Sequence, residues 1–356
     1  MSGLTVAFED TGCADARLAG GKGANLAELW RLGLGVPRGF VVTTGAFRLG
    51  AERFDPAGRF AAEIAGLDAS DLGSVAAVTA RIRDSILESP LPKTLIAEVE
   101  ERYSAEGADG ADGADDPGPA VAVRSSAVGE DGAGSSFAGL QETYLNVRGA
   151  GEVVSAVRAC WASLYSIESV TYRLQRALPE EEAAMAVVVQ LMADARSSGV
   201  MFTRSPSTGD RSVVAIEAAW GLGSAVVSGA VTPDSFVLSK VTGEILRRRL
   251  SPKQIRHSCG AGGGLVEEDV PPELQGAPSV SDAELGRLLD LALCIESHYG
   301  CAQDIEWSIA SEDRDGRDLL VLQSRPETVW SQKETPPAAG PKARAFDHVI
   351  EMMGRG

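Results

Sequence analysis

Histidine is scarce in this sequence, and cysteine is unpatterned. The 356 residues hold three histidines, His257, His298 and His348, far apart along the chain. The five cysteines, Cys13, Cys160, Cys259, Cys294 and Cys301, are never spaced as C-x-x-C. A Cys/His zinc site therefore has no support, and the odd, scattered cysteines fit reduced, packed thiols. Basic charge is also short, with 33 Lys and Arg against 50 Asp and Glu and a formal net charge of -17. That excludes the electrostatic footprint of a protein binding nucleic acid or anionic membrane. An anionic ligand would have to be held locally, by a few basic groups and backbone amides. No apolar run approaches the roughly 18 residues of a membrane span, and the start, MSGLTVAFED, lacks the basic and apolar segments of a signal peptide. The expectation is a cytoplasmic protein. What remains, 44% hydrophobic and 23% charged, suits one large domain or two subdomains around a cleft.

The pattern predicts a strand at Leu4–Phe8, then Gly20-Gly21-Lys22-Gly23 as a loop before a helix from about Asn25 to Leu32. A strand at 39–44 follows, then helical patterning from about Ala61 to Tyr103, broken at Pro90 and Pro92. Residues 105–120 (AEGADGADGADDPGPA) form a low-complexity insertion with too little apolar area to order itself. Apolar strands are predicted at 120–126, 143–147 and 186–190, with one long helix at 151–177 between the last two. The later half reads as strands at 199–203, 213–218, 235–239, 304–309 and 319–323, with one strong helix at about 282–299. This mixture, with few tight β-α alternations, favours α+β subdomains over a doubly wound sheet. The segment KETPPAAGPK (333–342) reads as a linker, followed by a short amphipathic piece.

Several segments suit phosphate chemistry. Lys22 in its glycine-rich setting combines free amides, a helix N-terminus and a point charge, although the spacing is not that of a P-loop. Arg124 ends an apolar strand, where a guanidinium can clamp phosphate oxygens in a bidentate manner. The glycine- and serine-rich stretch from Gly129 to Gly139 could fold over phosphates through its amides. Asp304 and Glu306 alternate with Ile305 and Trp307, so both carboxylates face one side of a strand. Gln323 and Arg325 repeat that spacing at the end of another apolar strand. Two such strands side by side would gather two carboxylates, an amide and a guanidinium, a set of hard oxygen donors suited to Mg²⁺. Glu217 is a carboxylate inside an apolar strand, which asks for a functional partner.

Taken together, these segments resemble the N-terminal ATP-binding region of the phosphoenolpyruvate synthase, pyruvate phosphate dikinase and rifampicin phosphotransferase family. The matching stretches are GGKGANLAEL (20–29), GVPRGFVVTTGAF (35–47), VRSSAVGEDGAGSSFAGLQETYLNV (123–147), VVVQLM (187–192), SGVMFTRSPSTGD (198–210), IEAAWGLGSAVVSGAVTPDSFVL (216–238), QDIEW (303–307) and LQSRPETVW (322–330). The resemblance implies an ATP-grasp-like fold with nucleotide in a cleft between two subdomains, 1–192 and 193–332, the second carrying the metal ligands. It implies that Lys22 and Arg124 contact phosphates, as do the loop through Gly139 and Thr143. Gln190, Leu191 and Met192 would border the adenine, and Glu217 would lie near the nucleotide. Glu306 and Gln323 would hold Mg²⁺ with Asp304 nearby, and Arg325 would reach the phosphates. Where the family has leucine and proline, this chain has Asp131-Gly132-Ala133-Gly134.

In that family ATP phosphorylates a histidine on a swivelling domain, yielding AMP and phosphate, and a further domain passes the phosphoryl group on. No Thr-Ser/Gly-His sequence occurs here. The expectation is a stand-alone ATP-binding component, as in the ATP-binding subunit of phenylphosphate synthase. Its partner would be a separate protein carrying the histidine and the acceptor-binding domain, with 333–356 as a docking tail. A self-contained small-molecule kinase or ligase, and a non-catalytic ATP-binding regulatory subunit, are the alternatives. Pyruvate, a phenol, an antibiotic and other metabolites all stay open as final acceptor.

Overall fold

The computed structural model describes residues 3–107, 118–128, 142–180, 183–312, 318–328 and 330. The low-complexity insertion, the loop through Gly139 and the segment from 333 onward therefore lie largely or wholly outside the described residues. Two antiparallel sheets organise the rest. The first has the order β1-β2-β5-β3-β4, from Thr5–Ala7 (β1), Gly39–Val42 (β2), Val121–Ala127 (β3), Thr143–Val147 (β4) and Met185–Leu191 (β5). Its central strands are buried along nearly their whole length, because helices cover both faces. Helix α1 (Ala16–Arg31) packs on one face. On the other lie α2 (Thr44–Phe54), α3 (Phe60–Ala65), α4 (Leu72–Glu88), α5 (Lys93–Glu106), α6 (Ala150–Ser163) and α7 (Ile167–Gln175), around Trp161 and Phe47.

The second sheet has the order β13-β12-β6-β7-β8-β9. Its strands are Ala195–Phe202 (β6), Val213–Trp220 (β7), Asp234–Ser239 (β8), Ile245–Arg249 (β9), Gln303–Ala310 (β12) and Leu319–Pro326 (β13). Between β7 and β8 lies the single turn α8 (Ser224–Val227). One face of this sheet, with Met201, Ile216, Phe236, Ile305 and Trp307, joins the core formed with α1 and with α10 (Asp282–Tyr299). The other face stays partly open, so burial alternates along β8 and most of β12. A separate hairpin, β10 (Ile255–Cys259) and β11 (Leu265–Asp269), is followed by the short α9 (Pro272–Gln275). No helix among the described residues is long and apolar enough to cross a membrane.

The architecture is α+β, as the pattern implied, and ATP-grasp-like, as the resemblance implied, but several local readings change. Helix α1 begins at Ala16, nine residues before the expected start, and Gly21-Lys22-Gly23 is helical rather than a loop. The expected long helix over 151–177 divides at Leu164–Ser166, where the Ser166 side chain accepts from the Ser169 N–H and caps a new helix. Helix α2 and strands β9, β10 and β11 have no counterpart in the sequence reading.

Candidate functional site

Residue Gly20 shapes the entrance to the site. Its φ of 69° and ψ of 175° interrupt α1, and a Cβ there would stand 2.0 Å from the Ser126 carbonyl oxygen. Only glycine allows this approach. The helix restarts at Gly21, and the Ser126 hydroxyl of β3 accepts from the Gly23 N–H at 3.1 Å. Lys22 thus sits in a first helical turn, buried, with Nζ donating to the Ser125 carbonyl at 3.0 Å. Arg124 is the residue before that carbonyl.

Arg124 is itself buried and reaches across to the second sheet. Its guanidinium donates to the Leu322 carbonyl at 2.7 Å, to Glu306 Oε2 at 3.2 Å and to Gln323 Oε1 at 2.5 Å. Glu306 and Gln323 are directly paired across β12 and β13, as are Asp304 and Arg325. Register extends the first pair along the sheet: Glu306 opposes Val200, Val200 opposes Glu217, and Glu217 opposes Ser235. Directly opposed residues share a face. Glu217 therefore lies on the open face in one row with Glu306, two strands away, at about 10 Å by strand spacing.

A cavity of about 380 Å³ opens between the sheets beside this row. Arg124, Thr143, Gln190, Leu191, Met192 and Glu306 line it, and so do Leu145, Leu222 and Val227. Its wall is mainly apolar with a few polar groups, the composition expected of a small-molecule site. Lys22, Glu217, Asp304, Gln323 and Arg325 stand around it rather than on its wall. Gly139 falls outside the described residues. Two of the three expected adenine-bordering residues have committed amides: the Leu191 N–H bonds Arg38 and the Met192 N–H bonds Ala120, each at 2.9 Å. The Gln190 side chain donates away from the cavity, to the Pro37 carbonyl at 3.2 Å. Ala193 also lines the cavity, and its N–H has no partner among the described residues. That free amide could not be read from side-chain identity.

Among the described carboxyls, Asp304 is strongly perturbed. Burial pushes its pKa up to about 6; the Arg325 guanidinium at 3.5 Å pulls the other way, and the nearby Glu327 charge adds to the rise. Its Oδ1 is buried and has no hydrogen-bond partner among the described residues. A desolvated, unsatisfied carboxylate oxygen beside Glu306 and Gln323 fits a hard cation. Among the described residues no group of three or more His, Cys, Asp and Glu side chains could hold a metal alone. Such a sparse set suits Mg²⁺, which takes one or two carboxylates and completes its shell with phosphate oxygens and water.

Two sheets facing each other across a mostly apolar cavity, with basic and acidic groups gathered at its edge, define an ATP-grasp-like chain. The chain belongs to the family of the pyruvate phosphate dikinase AMP/ATP-binding domain, whose model matches residues 16–345. It is 41% identical over 325 residues to a probable phosphoenolpyruvate synthase of Methanothermobacter thermautotrophicus, covering 91% of this chain and 46% of that protein. It is 39% identical over 376 residues to the phosphoenolpyruvate synthase of Aeropyrum pernix, covering 95% and 44%. With a rifampicin phosphotransferase of a Streptomyces species it shares 39% identity over 331 residues, covering 92% and 36%. The chain thus spans about half or less of the length of these curated relatives.

Proposed function

We propose that this chain is the ATP-binding component of a dikinase-type phosphotransferase, active in the cytoplasm. In this reading it uses ATP and Mg²⁺ to phosphorylate a histidine on a partner protein, with AMP and phosphate as products. The observation that carries the proposal is the convergence of Arg124, Glu306 and Gln323 at the edge of the cavity, with Lys22 one peptide away. In the proposal residues 1–192 and 193–332 act as the two subdomains, and 333–356 as a linker and docking tail. The adenine lies against the apolar wall, bordered by Gln190, Leu191 and Met192, with Ala193 N–H as the available amide donor. Lys22, Arg124 and Arg325 hold phosphate oxygens, together with Thr143 and the loop through Gly139; Glu217 stands near the nucleotide. Glu306 and Gln323 hold Mg²⁺, with Asp304 beside them. An ion held there would supply charge neutralisation to the phosphates.

The geometry suggests how the charges exchange. The Arg124 guanidinium rests on Glu306 and Gln323, the oxygens assigned to the metal. Released from them, it would turn to the phosphates and stabilise the charge that develops in the transition state. The chain supplies positioning and electrostatics, and the nucleophile comes from the partner.

The test is to incubate the chain with ATP labelled at the β- or γ-phosphate, with Mg²⁺ and fractionated proteins of its source. AMP together with phosphohistidine on a second protein is the expected result, and Arg124→Ala should lower transfer by about 10²–10³-fold. Formation of ADP with a phosphorylated small molecule would replace this reading with a direct kinase. Nucleotide binding without turnover in the presence of the histidine-bearing protein would leave only a regulatory role.

A further inference from the structure

Besides Arg124, a second tie joins the two walls of the cavity, and no residue assigned to phosphate or metal takes part in it. Asn146, near the end of β4, has φ 55°, a left-handed conformation that non-glycine residues seldom adopt. It is fully buried. Its Nδ2 donates to the carbonyls of Gly260 at 2.8 Å and Gly264 at 2.6 Å, at the tip of the β10–β11 hairpin. Its own carbonyl accepts from the Gly264 N–H at 3.0 Å. Arg148 Nε donates to Asn146 Oδ1 at 3.2 Å. Because arginine only donates, that bond fixes which end of the amide faces the hairpin.

The middle of β10 in the same hairpin grips the opposite wall. The His257 carbonyl accepts from the Leu222 N–H at 2.9 Å, and its Nδ1 lies 2.9 Å from the Ser224 hydroxyl. His257 also bridges to Gly221, where a Cβ would come within 2.5 Å of the His257 oxygen. Leu222 and Ser224 line the cavity on one side, and Thr143 and Leu145 of β4 line it on the other. The hairpin thus spans from Ser224 to Asn146, holding both walls at once. The bonds that hold its tip to Asn146 are neutral amide–carbonyl bonds that no phosphate or metal would compete for. A backbone strained at Asn146 persists only where its surroundings fix it.

We infer that Asn146 is a positioning residue, which through the β10–β11 hairpin sets the separation of the cavity walls and hence nucleotide affinity. This rests on the reading of the cavity as the nucleotide site. On binding, the Arg124 tie exchanges while the Asn146 tie stays closed. The test compares the unmodified chain with Asn146→Gly, which accepts the positive φ but lacks the amide. Three readouts are taken: Kd for Mg-ATP and for metal-free ATP, hydrogen exchange at Gly264 and residues 222–228, and thermal melting. Losing two buried amide bonds should weaken both Kd values about tenfold and accelerate exchange at Gly264 and at 222–228 together. A purely structural role would lower the melting temperature and leave the Kd of the folded protein and the exchange at 222–228 unchanged, which would overturn the inference. His257→Ala, which removes one bond at the half-buried middle of β10, should weaken Kd about threefold and decides the matter if Asn146→Gly does not fold; an unchanged Kd there would again overturn it. Failure of the unmodified chain to bind ATP would instead refute the assignment of the cavity.

Discussion

The two sheets solve the same packing problem in different ways, and the difference locates the chemistry. The first sheet is sandwiched between helices, so β3 is buried at every residue and β5 at all but its last. A polar group in such a strand needs partners of its own: Ser126 bonds α1 through Ala19 and Gly23, and Arg124 reaches out to Leu322, Glu306 and Gln323 of the second sheet. The second sheet has one covered face and one partly open, and its strands alternate accordingly. Its open face accepts Glu217, Asp304 and Glu306 without conflict with the core. One sheet therefore contributes a rigid apolar wall with a single cation, and the other contributes a row of oxygen donors. A sheet covered on one side needs other anchors, and at the start of β8 it has one. Asp234 and Lys253, both fully buried, pair at 2.6 Å. Asp234 also accepts from Ser251 and from both donors of Ser279, which closes the network.

The largest expected effect on stability breaks that anchor. Lys253→Met leaves Asp234 buried and uncompensated, and removing one partner of a buried pair costs about 3–5 kcal/mol. Urea unfolding should show this loss, while ATP affinity of the folded variant stays unchanged, because neither residue lines the cavity. A loss below about 1 kcal/mol would mean that the three remaining donors satisfy Asp234 without the lysine.

A smaller effect tests the contrast itself. Val189→Thr and Val237→Thr make the same chemical change in each sheet. Val189 is buried between Phe40 and Val123 of its neighbouring strands, so an added hydroxyl finds no partner there and should cost about 1–3 kcal/mol. Val237 is half-buried on the open face between Ala215 and Arg247, and its change should stay within about 0.5 kcal/mol. Equal costs, measured by urea unfolding, would show that something covers the open face.

This contrast also explains what could be read from the sequence. The apolar runs at 120–126 and 186–190 announced strands, and the alternation in QDIEW announced two carboxylates on one face of another. Capped helix α10 was legible to the residue, since Ser281 and Glu284 form a capping box. Strands β9, β10 and β11 were not, because ILRRR, IRHSC and LVEED are largely polar, with β9 and β11 mostly exposed and β10 half-buried throughout, and neither period stands out. Gly20–Gly23 looked like a loop because glycine lowers helix propensity; the break is confined to Gly20, and Ser126 supports the turn that follows from a strand more than a hundred residues away. The placement of Glu217 in the row of Glu306 depends on register across three strands, and the left-handed Asn146 depends on a hairpin 114 residues on. Residue identity announced the donors, whereas their convergence is a property of pairing.

The smallest effect lies at the edge of the second sheet, where three arginines stand in a row. Register puts Arg247 and Arg249 on the open face and Arg248 on the covered one, opposite Phe236. Of the three, Arg248 is the one engaged among the described residues: it pairs with Asp282 and lies 5.9 Å over the Phe236 ring. Both charges of that pair are solvent-accessible, so screening keeps its worth small. Arg248→Ala should destabilise by about 0.5–1 kcal/mol, through the ion pair and the ring it covers, and part of that loss should vanish in high salt. Arg247→Ala and Arg249→Ala should leave stability unchanged within about 0.5 kcal/mol. If all three behave alike in unfolding titrations at low and high salt, the two faces of this strand are not distinguished as its register requires.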